Sequence, residues 1–311
     1  NRPEHFCMPP PVVATLATQS HLAYVKVLAQ TLRKHHPDAR IYALVVDHPD
    51  AVAHYRTELF QVVSLEDLRI PSCRSFCFQY DAFELCNALK PYLILHLLRD
   101  RGEIPVLYLD SDVGVFGDLS ALLEKLGSHD VMLTPHTQVE YPTDGRAPDW
   151  RELLLVGQFN AGVVGVGAGA QGRVFVEWWA NRLRHDGLVS TADGLFVDQK
   201  FLDSVPCLFP GTCICRHDGV NVAHFNLHGR TVRRETSGWS VNGVPLLLFH
   251  FTMVQHSQGN FRPFVTRPLL EAQPVLRDLL LDYGRQLDAA GHGEFSRLPF
   301  GLGNFANGLP I

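Results

Sequence analysis

Asp110 and Asp112 stand two residues apart, at the end of the apolar run Ile104-Pro105-Val106-Leu107-Tyr108-Leu109. Such a run reads as a buried strand, and side chains at i and i+2 of an extended segment point the same way. Both carboxylates can then converge on one divalent cation or one polar ligand, with Ser111 between them. Ligands of open α/β sheets bind beyond the carboxyl ends of the strands. The position therefore suits a metal-assisted site for an anionic substrate. Asp-x-Asp alone also occurs as a turn or helix cap; the strand-like run before it is what favours a metal.

Three more groups could join this pair. Asn160 opens Asn160-Ala161-Gly162, whose small residues would let a ligand approach the backbone closely; an ordinary turn into a strand is the plainer reading. Asp198-Gln199 sets a carboxylate beside an amide, which can hold sugar hydroxyls or simply face water from a helix. His250 ends the run Pro245–Phe249. A neutral imidazole completes an oxygen-rich cation site, although a lone histidine is more often structural. Two carboxylates, one imidazole and substrate phosphates favour Mn²⁺, with Mg²⁺ second. The stretch Gly167-x-Gly169-x-x-Gly172 matches a dinucleotide fingerprint. No strand ending in an acid follows at the required distance, so an NAD-dependent oxidoreductase is the lesser alternative.

Elements must carry these groups to one place. Val12–Thr18 reads as a strand. Leu22, Val25, Leu28, Ala29 and Leu32 recur at helical spacing, and His35-His36-Pro37 stops that helix. Residues 40–46 form a second strand, so the chain opens as a βαβ unit with a parallel sheet. Val62-Val63 is a short third strand, and residues 69–81 look irregular. A helix over Phe83–Leu98 feeds the Asp-x-Asp strand. A helix over Leu119–Leu126, a strand over Asp130–Leu133, a mobile polar loop at 137–152 and a strand over Phe159–Val166 follow. Helices are expected over Arg173–Leu183 and Gly194–Leu202. Beyond Leu208 come short β segments, a hairpin at Asn242-Gly243, and a final helix over Leu269–Leu287.

The 311 residues are 46% hydrophobic and 19% charged, enough for a real core. A net charge of −5 argues against a general nucleic-acid binder. No apolar run has the length of a membrane span. The opening Asn1-Arg2-Pro3-Glu4 has no initiator Met and no signal-peptide pattern; it reads as a trimmed chain or one module of a larger polypeptide. Seven cysteines lack zinc-site spacing and read as small buried hydrophobes in a reducing cytosol, hence a cytoplasmic protein. Most of the sixteen histidines read as solvated surface residues.

Taken in order, these segments resemble the GT-A fold glycosyltransferases, especially the glycogenin-like and lipopolysaccharide-galactosyltransferase-like family 8 group. The stretches that carry the resemblance are VVATLATQSHLAYVKVLAQTLRKHHPDARIYALVVD, the helix with Lys90, VLYLDSDVGVFGDLSAL, FNAGVVGV, VDQKFLD and LFHF, which together span most of residues 12–264. The resemblance implies a mixed, mainly parallel α/β sheet with a small β-rich C-terminal portion. One domain would cover 1–268, with a donor half at 12–135 and an acceptor half at 136–268, and with residues 269–311 packed on it. It implies transfer, with retention, from a UDP-sugar to a saccharide, lipid-linked or protein acceptor. Thr15, Ala17 and Thr18 would contact base and ribose, with Tyr24 beside them. Lys90 would face phosphate or sugar. Asp110, Asp112 and His250 would hold the metal, and Asn160, Asp198 and Gln199 would lie at the reacting sugar. The family's lysine after its histidine is replaced by the later Arg262-Pro263-Phe264, so Arg262 takes the phosphate role. Leu208–Trp239 matches nothing in the family pattern, and acceptor binding falls there or in 137–152. A non-catalytic nucleotide- or glycan-binding module of the same fold is the alternative.

Overall fold

The structure is a computed structural model, and it describes residues 10–47, 52, 55 and 57–304. Its centre is a seven-stranded sheet. The strands are β1 (Val12–Ala17), β2 (Arg40–Val45), β3 (Gln61–Val63), β4 (Val106–Leu109), β6 (Val131–Pro135), β7 (Phe159–Val166) and β8 (Thr212–Ile214), in the order β8-β6-β7-β4-β1-β2-β3. β7 alone runs against its neighbours, antiparallel to both β4 and β6. A short strand β5 (Val113–Val115) leaves the sheet and pairs antiparallel with β9 (Leu248–His250).

Near-continuous apolar strands imply cover on both faces, and two core clusters provide it. Val12, Ala14 and Leu16 of β1 pack with Leu89 and Leu93 of α3 (Ala82–Asp100) and with Trp179 of α6 (Ala170–Arg182). Val13 and Ala17, one residue out of phase, pack with Leu28 of α1 (Leu22–His35) and Leu122 of α4 (Ser120–Ser128). α3 begins with a reciprocal cap, in which the Asp81 side chain accepts from Glu84 N and the Glu84 side chain accepts from Asp81 N. A third cluster joins α1 to the last long helix, α7 (Val275–Ala289), through Val27, Leu276 and Leu280.

Several expectations need correction. Residues 69–81 contain a helix, α2 (Cys73–Phe78). The region 194–202 is a two-residue strand followed by a 3-10 helix over Gln199–Ser204. The terminal helix is broken after Ala272 and resumes at Val275, where Pro274 ends the first piece. The loop at 137–152 is pinned: buried Arg267 donates to Asp144 Oδ2 at 2.9 Å and to the carbonyls of Pro148 and Arg146, and α5 (Trp150–Val156) starts inside it. Of the described cysteines only Cys215 is fully buried. His96, His136 and His224 are buried rather than solvated. The Asn242-Gly243 turn is present, with φ of 51° and 83° in the hairpin's two central residues.

Candidate functional site

Strand polarity assembles the site. Because β7 is reversed, its first residues lie beside the last residues of β4: Leu109 pairs with Val163, and Asp110 N donates to Gly162 O at 2.8 Å. Asn160 thus comes to the edge where Asp110 emerges. β9 then brings His250 alongside Val113. The Asp-x-Asp segment itself is a tight turn, closed by Val113 N donating to Asp110 O at 3.0 Å, and not the extended run that spacing implied. The carboxylates still converge. His250 Nε2 lies 3.0 Å from Asp112 Oδ1 and 3.8 Å from Asp110 Oδ2, and about a quarter of each acid remains open to solvent at 28% and 27%.

The ligating atoms of Asp110, Asp112 and His250 all lie within 4.8 Å of one another. This set suits a hard or borderline divalent cation. Burial opposes charge on His250, but Asp112 and Asp110 outweigh it and raise its pKa; burial likewise opposes the Asp112 carboxylate, and His250 holds its pKa down. Gly162 makes the convergence possible. A Cβ there would sit 2.5 Å from His250 Cε1 and 2.8 Å from both Asp110 Oδ2 and Asn160 Oδ1.

Behind the cluster runs a buried polar network. His250 Nδ1 is 3.2 Å from Asn221 Oδ1. The Asn221 amide nitrogen donates to Thr134 Oγ1 at 2.9 Å and to Asn160 Oδ1 at 3.1 Å, so its oxygen must face the imidazole. Nδ1 therefore donates to Asn221, and the ring is held with Nε2 turned toward the acids, 3.0 Å from Asp112 Oδ1. Metal-binding histidines are oriented by such partners. Asn160 Oδ1 also accepts from Gly162 N, and its amide nitrogen reaches Gln199 Oε1 at 3.4 Å.

Lys90 stands between two acids. Its Nζ is 3.1 Å from Asp110 Oδ1 and 3.0 Å from Asp198 Oδ2, with side-chain exposures of 4% for Lys90 and 1% for Asp198. Burial disfavours the ammonium, yet the two carboxylates more than offset it and raise the Lys90 pKa. Burial, with Asp110 nearby, pushes Asp198 up to about 6 against the pull of Lys90. Tyr108 donates to Asp110 Oδ1 at 2.8 Å. Val197, just before Asp198, holds φ at 41°, an unusual value for a β-branched residue and the kind of strain that gathers at functional sites.

Two cavities meet over this floor. One, of about 460 Å³, is lined by Ala17, Thr18, Tyr24, Lys90, Asp110, Ser111, Asp112 and Arg262. The other, of about 500 Å³, is lined by Lys90, Asp110, Asp112, Asn160, Gln199 and His250, with His136 and His224 in its wall. Most sequence-chosen residues therefore face one space or the other. Thr15 does not: it is fully buried and turned to the α1 side with Val13. Asp198 lines neither cavity and reaches them through Lys90. Asn221, His136 and His224 were not singled out from sequence. Asn221 lies in the unmatched stretch from Leu208 to Trp239, and its φ of 53° is one of the few conformations in which asparagine is favoured. Among the described residues a second His-Asp-His cluster is His256, Asp288 and His292, of which His256 lines the first cavity.

The Gly-rich stretch is occupied by protein. A Cβ on Gly167 or Gly169 would collide with His129 or Asp130, and Asp130 Oδ1 accepts from Gln171 N at the start of α6. A carboxylate already satisfies the helix end that a pyrophosphate would need.

No family model matches the chain. It is similar to the uncharacterized protein YfnF of Bacillus subtilis (strain 168), 26% identical over 249 residues, covering 76% of this chain and 80% of that protein. The same organism's uncharacterized protein YfnD is 22% identical over 260 residues, with 79% and 80% covered. Among solved structures, galactosyltransferase LgtC in complex with donor and acceptor sugar analogs overlays with a TM-score of 0.47 at 17% identity, over 87% of this chain and 96% of that one. The glycosyltransferase GlyE of Streptococcus pneumoniae TIGR4 gives 0.48 at 20% identity, over 90% of this chain and 63% of that one.

Proposed function

We propose that this chain is a cation-dependent glycosyltransferase of GT-A type, akin to family 8, that takes a sugar from a UDP-sugar with retention. The observation that carries the reading is the shared floor: Asp110, Asp112 and Lys90 line both cavities, and His250 closes the second. A nucleoside diphosphate fits the first space, with Ala17, Thr18 and Tyr24 at the base and ribose end and Arg262 on phosphate. The sugar and the incoming acceptor share the second.

Asp110, Asp112 and His250 would hold Mn²⁺ or Mg²⁺, which supplies Lewis-acid neutralisation of the leaving diphosphate. Lys90 adds a fixed positive charge beside the same oxygens. Its ammonium is held by Asp198, so its position does not depend on ligand. Gln199 would offer its amide oxygen to the anomeric carbon as it gains positive character; it is braced by donation to Val156 O at 3.0 Å, and the Asn160 amide nitrogen reaches the same oxygen at 3.4 Å. Retention asks for no strong base at the acceptor; a leaving phosphate oxygen can accept its proton. Losing one preorganised group aimed at developing charge costs ~3 kcal/mol, a hundredfold or more in rate.

The test is a thermal-shift and hydrolysis panel of UDP-sugars with and without Mn²⁺. Stabilisation by UDP plus Mn²⁺, and slow donor hydrolysis that Asp112→Ala abolishes while the variant still melts cooperatively, is the expected result. Hydrolysis at the wild-type rate by Asp112→Ala, or stabilisation by NAD and not UDP, overturns the reading.

A further inference from the structure

The second cavity is polar at its floor, and most of its exposed wall is apolar. Above Asn160, Gln199 and His250, its wall comes from aliphatic and aromatic side chains. Phe83, Leu155, Met253 and Phe264 line it while keeping 55%, 47%, 38% and 52% of their surface in water. Four large hydrophobics left half open around one mouth form a patch with a purpose. Beyond the floor the polar groups are Asn87, Glu152, Thr191 and Thr252 and the buried imidazoles of His136 and His224. A free saccharide pressed against Phe83, Leu155, Met253 and Phe264 would leave the hydroxyls on that side without partners, which burial penalises.

Resting on the transferase reading above, we infer that the acceptor is a lipid-type amphiphile: its hydroxyl-bearing head reaches the polar floor, and its hydrocarbon chain lies along α5 and out past Phe264. Phe83, Leu155, Met253 and Phe264 stay partly open to water instead of enclosing a dry pocket, which favours a chain running outward over a compact aromatic body. Ligand pockets of this kind combine an apolar wall with a few convergent polar groups that fix orientation.

The test uses the full chain with UDP and Mn²⁺ present. Methyl, hexyl and octyl β-glucoside, each below its micelle-forming concentration, are titrated by calorimetry, with maltose as the chain-free control. Affinity should rise with chain length, by about tenfold between hexyl and octyl, as expected for burying two methylenes. Leu155→Asp and Phe264→Asp, on separate segments, should each flatten the series. Equal affinity across the series, tighter binding of maltose than of octyl β-glucoside, or a series left steep in both variants overturns the inference. Hydrolysis of UDP-glucose and UDP-galactose is measured in parallel. A steep series without hydrolysis of either donor keeps the amphiphile site and refutes the transferase reading; hydrolysis with a flat series does the reverse.

Discussion

Lys90 Nζ lies 3.0 Å from Asp198 Oδ2, and both side chains are almost wholly shut away from water, at 4% and 1% exposed. A buried charge keeps its place only while its partner is present. The pair links a helix under the sheet to the strained turn at Val197, and it sets a cation beside Asp110.

Breaking that pair on one side should be far worse than removing it whole. Lys90→Met should cost ~3–5 kcal/mol by urea unfolding at pH 7, because Asp198 is left without compensation. Adding Asp198→Asn to it should restore much of the loss. If the double variant is as unstable as the two single changes summed, the pair is not coupled.

Asn221 should govern cation affinity without touching the cation. Asn221→Ala frees the His250 ring to rotate and change tautomer, and partners of this kind are worth about 10–100-fold in metal affinity. Titration calorimetry with Mn²⁺ in the presence of UDP reads the effect. An unchanged affinity would show that β9 alone fixes the ring.

Gly162→Ala should disable the cation site through one methyl group. Its Cβ would stand 2.5 Å from His250 Cε1, and the neighbours that would have to yield include Asp110 and Asn160. Overpacking there should cost ~1–3 kcal/mol and sharply weaken Mn²⁺ binding. Gly127→Ala in α4 is the control: nothing lies within 4 Å of its Cβ, and helix propensity predicts a gain of up to ~1 kcal/mol.

Acidification should act with two signs. Donor hydrolysis should fall as pH drops through about 6, where Asp198 takes up a proton and Lys90 loses a partner; Asp198→Asn should remove that limb from the profile. Asp198 itself, raised from 3.8, makes stability decline as pH climbs from about 4 to about 6. Burial holds His136 down to about 4 and His224 to about 3, against 6.5. Those neutral imidazoles contribute stability that is whole above 6.5 and lost as pH falls toward those values. The raised His250 joins Asp198 on the opposing side, but burial also lowers His21, His217, His228 and His256, so the net is a loss on acidification. Urea midpoints at pH 7 and pH 4.5 measure it, and no decline would contradict the sign.

Much of this was legible in the chain before folding. Period-two and period-3.6 patterns placed β1, α1, β2, α3, β4 and β7, because each buries a long apolar face. The acids and His250 were legible as strand-end groups. The convergence itself was not, since it depends on β7 running backwards and on a turn at Asp110–Val113, and neither leaves a periodic trace. Asn221, His136 and His224 escaped because a buried polar residue in an irregular segment looks like surface until its partners are known. The loop at 137–152 read as mobile because the residue that pins it, Arg267, lies more than a hundred positions away.

Lys90, Asp110 and Asp112 belong to both cavities, so the two spaces adjoin along these three side chains. One tethered molecule could therefore occupy both at once, a nucleoside diphosphate at one end and an alkyl tail at the other. The second half would then bind at a high effective concentration, with avidity far beyond either fragment. If the nucleotide and amphiphile readings both hold, joining the two halves above the carboxylates gives an inhibitor for this chain.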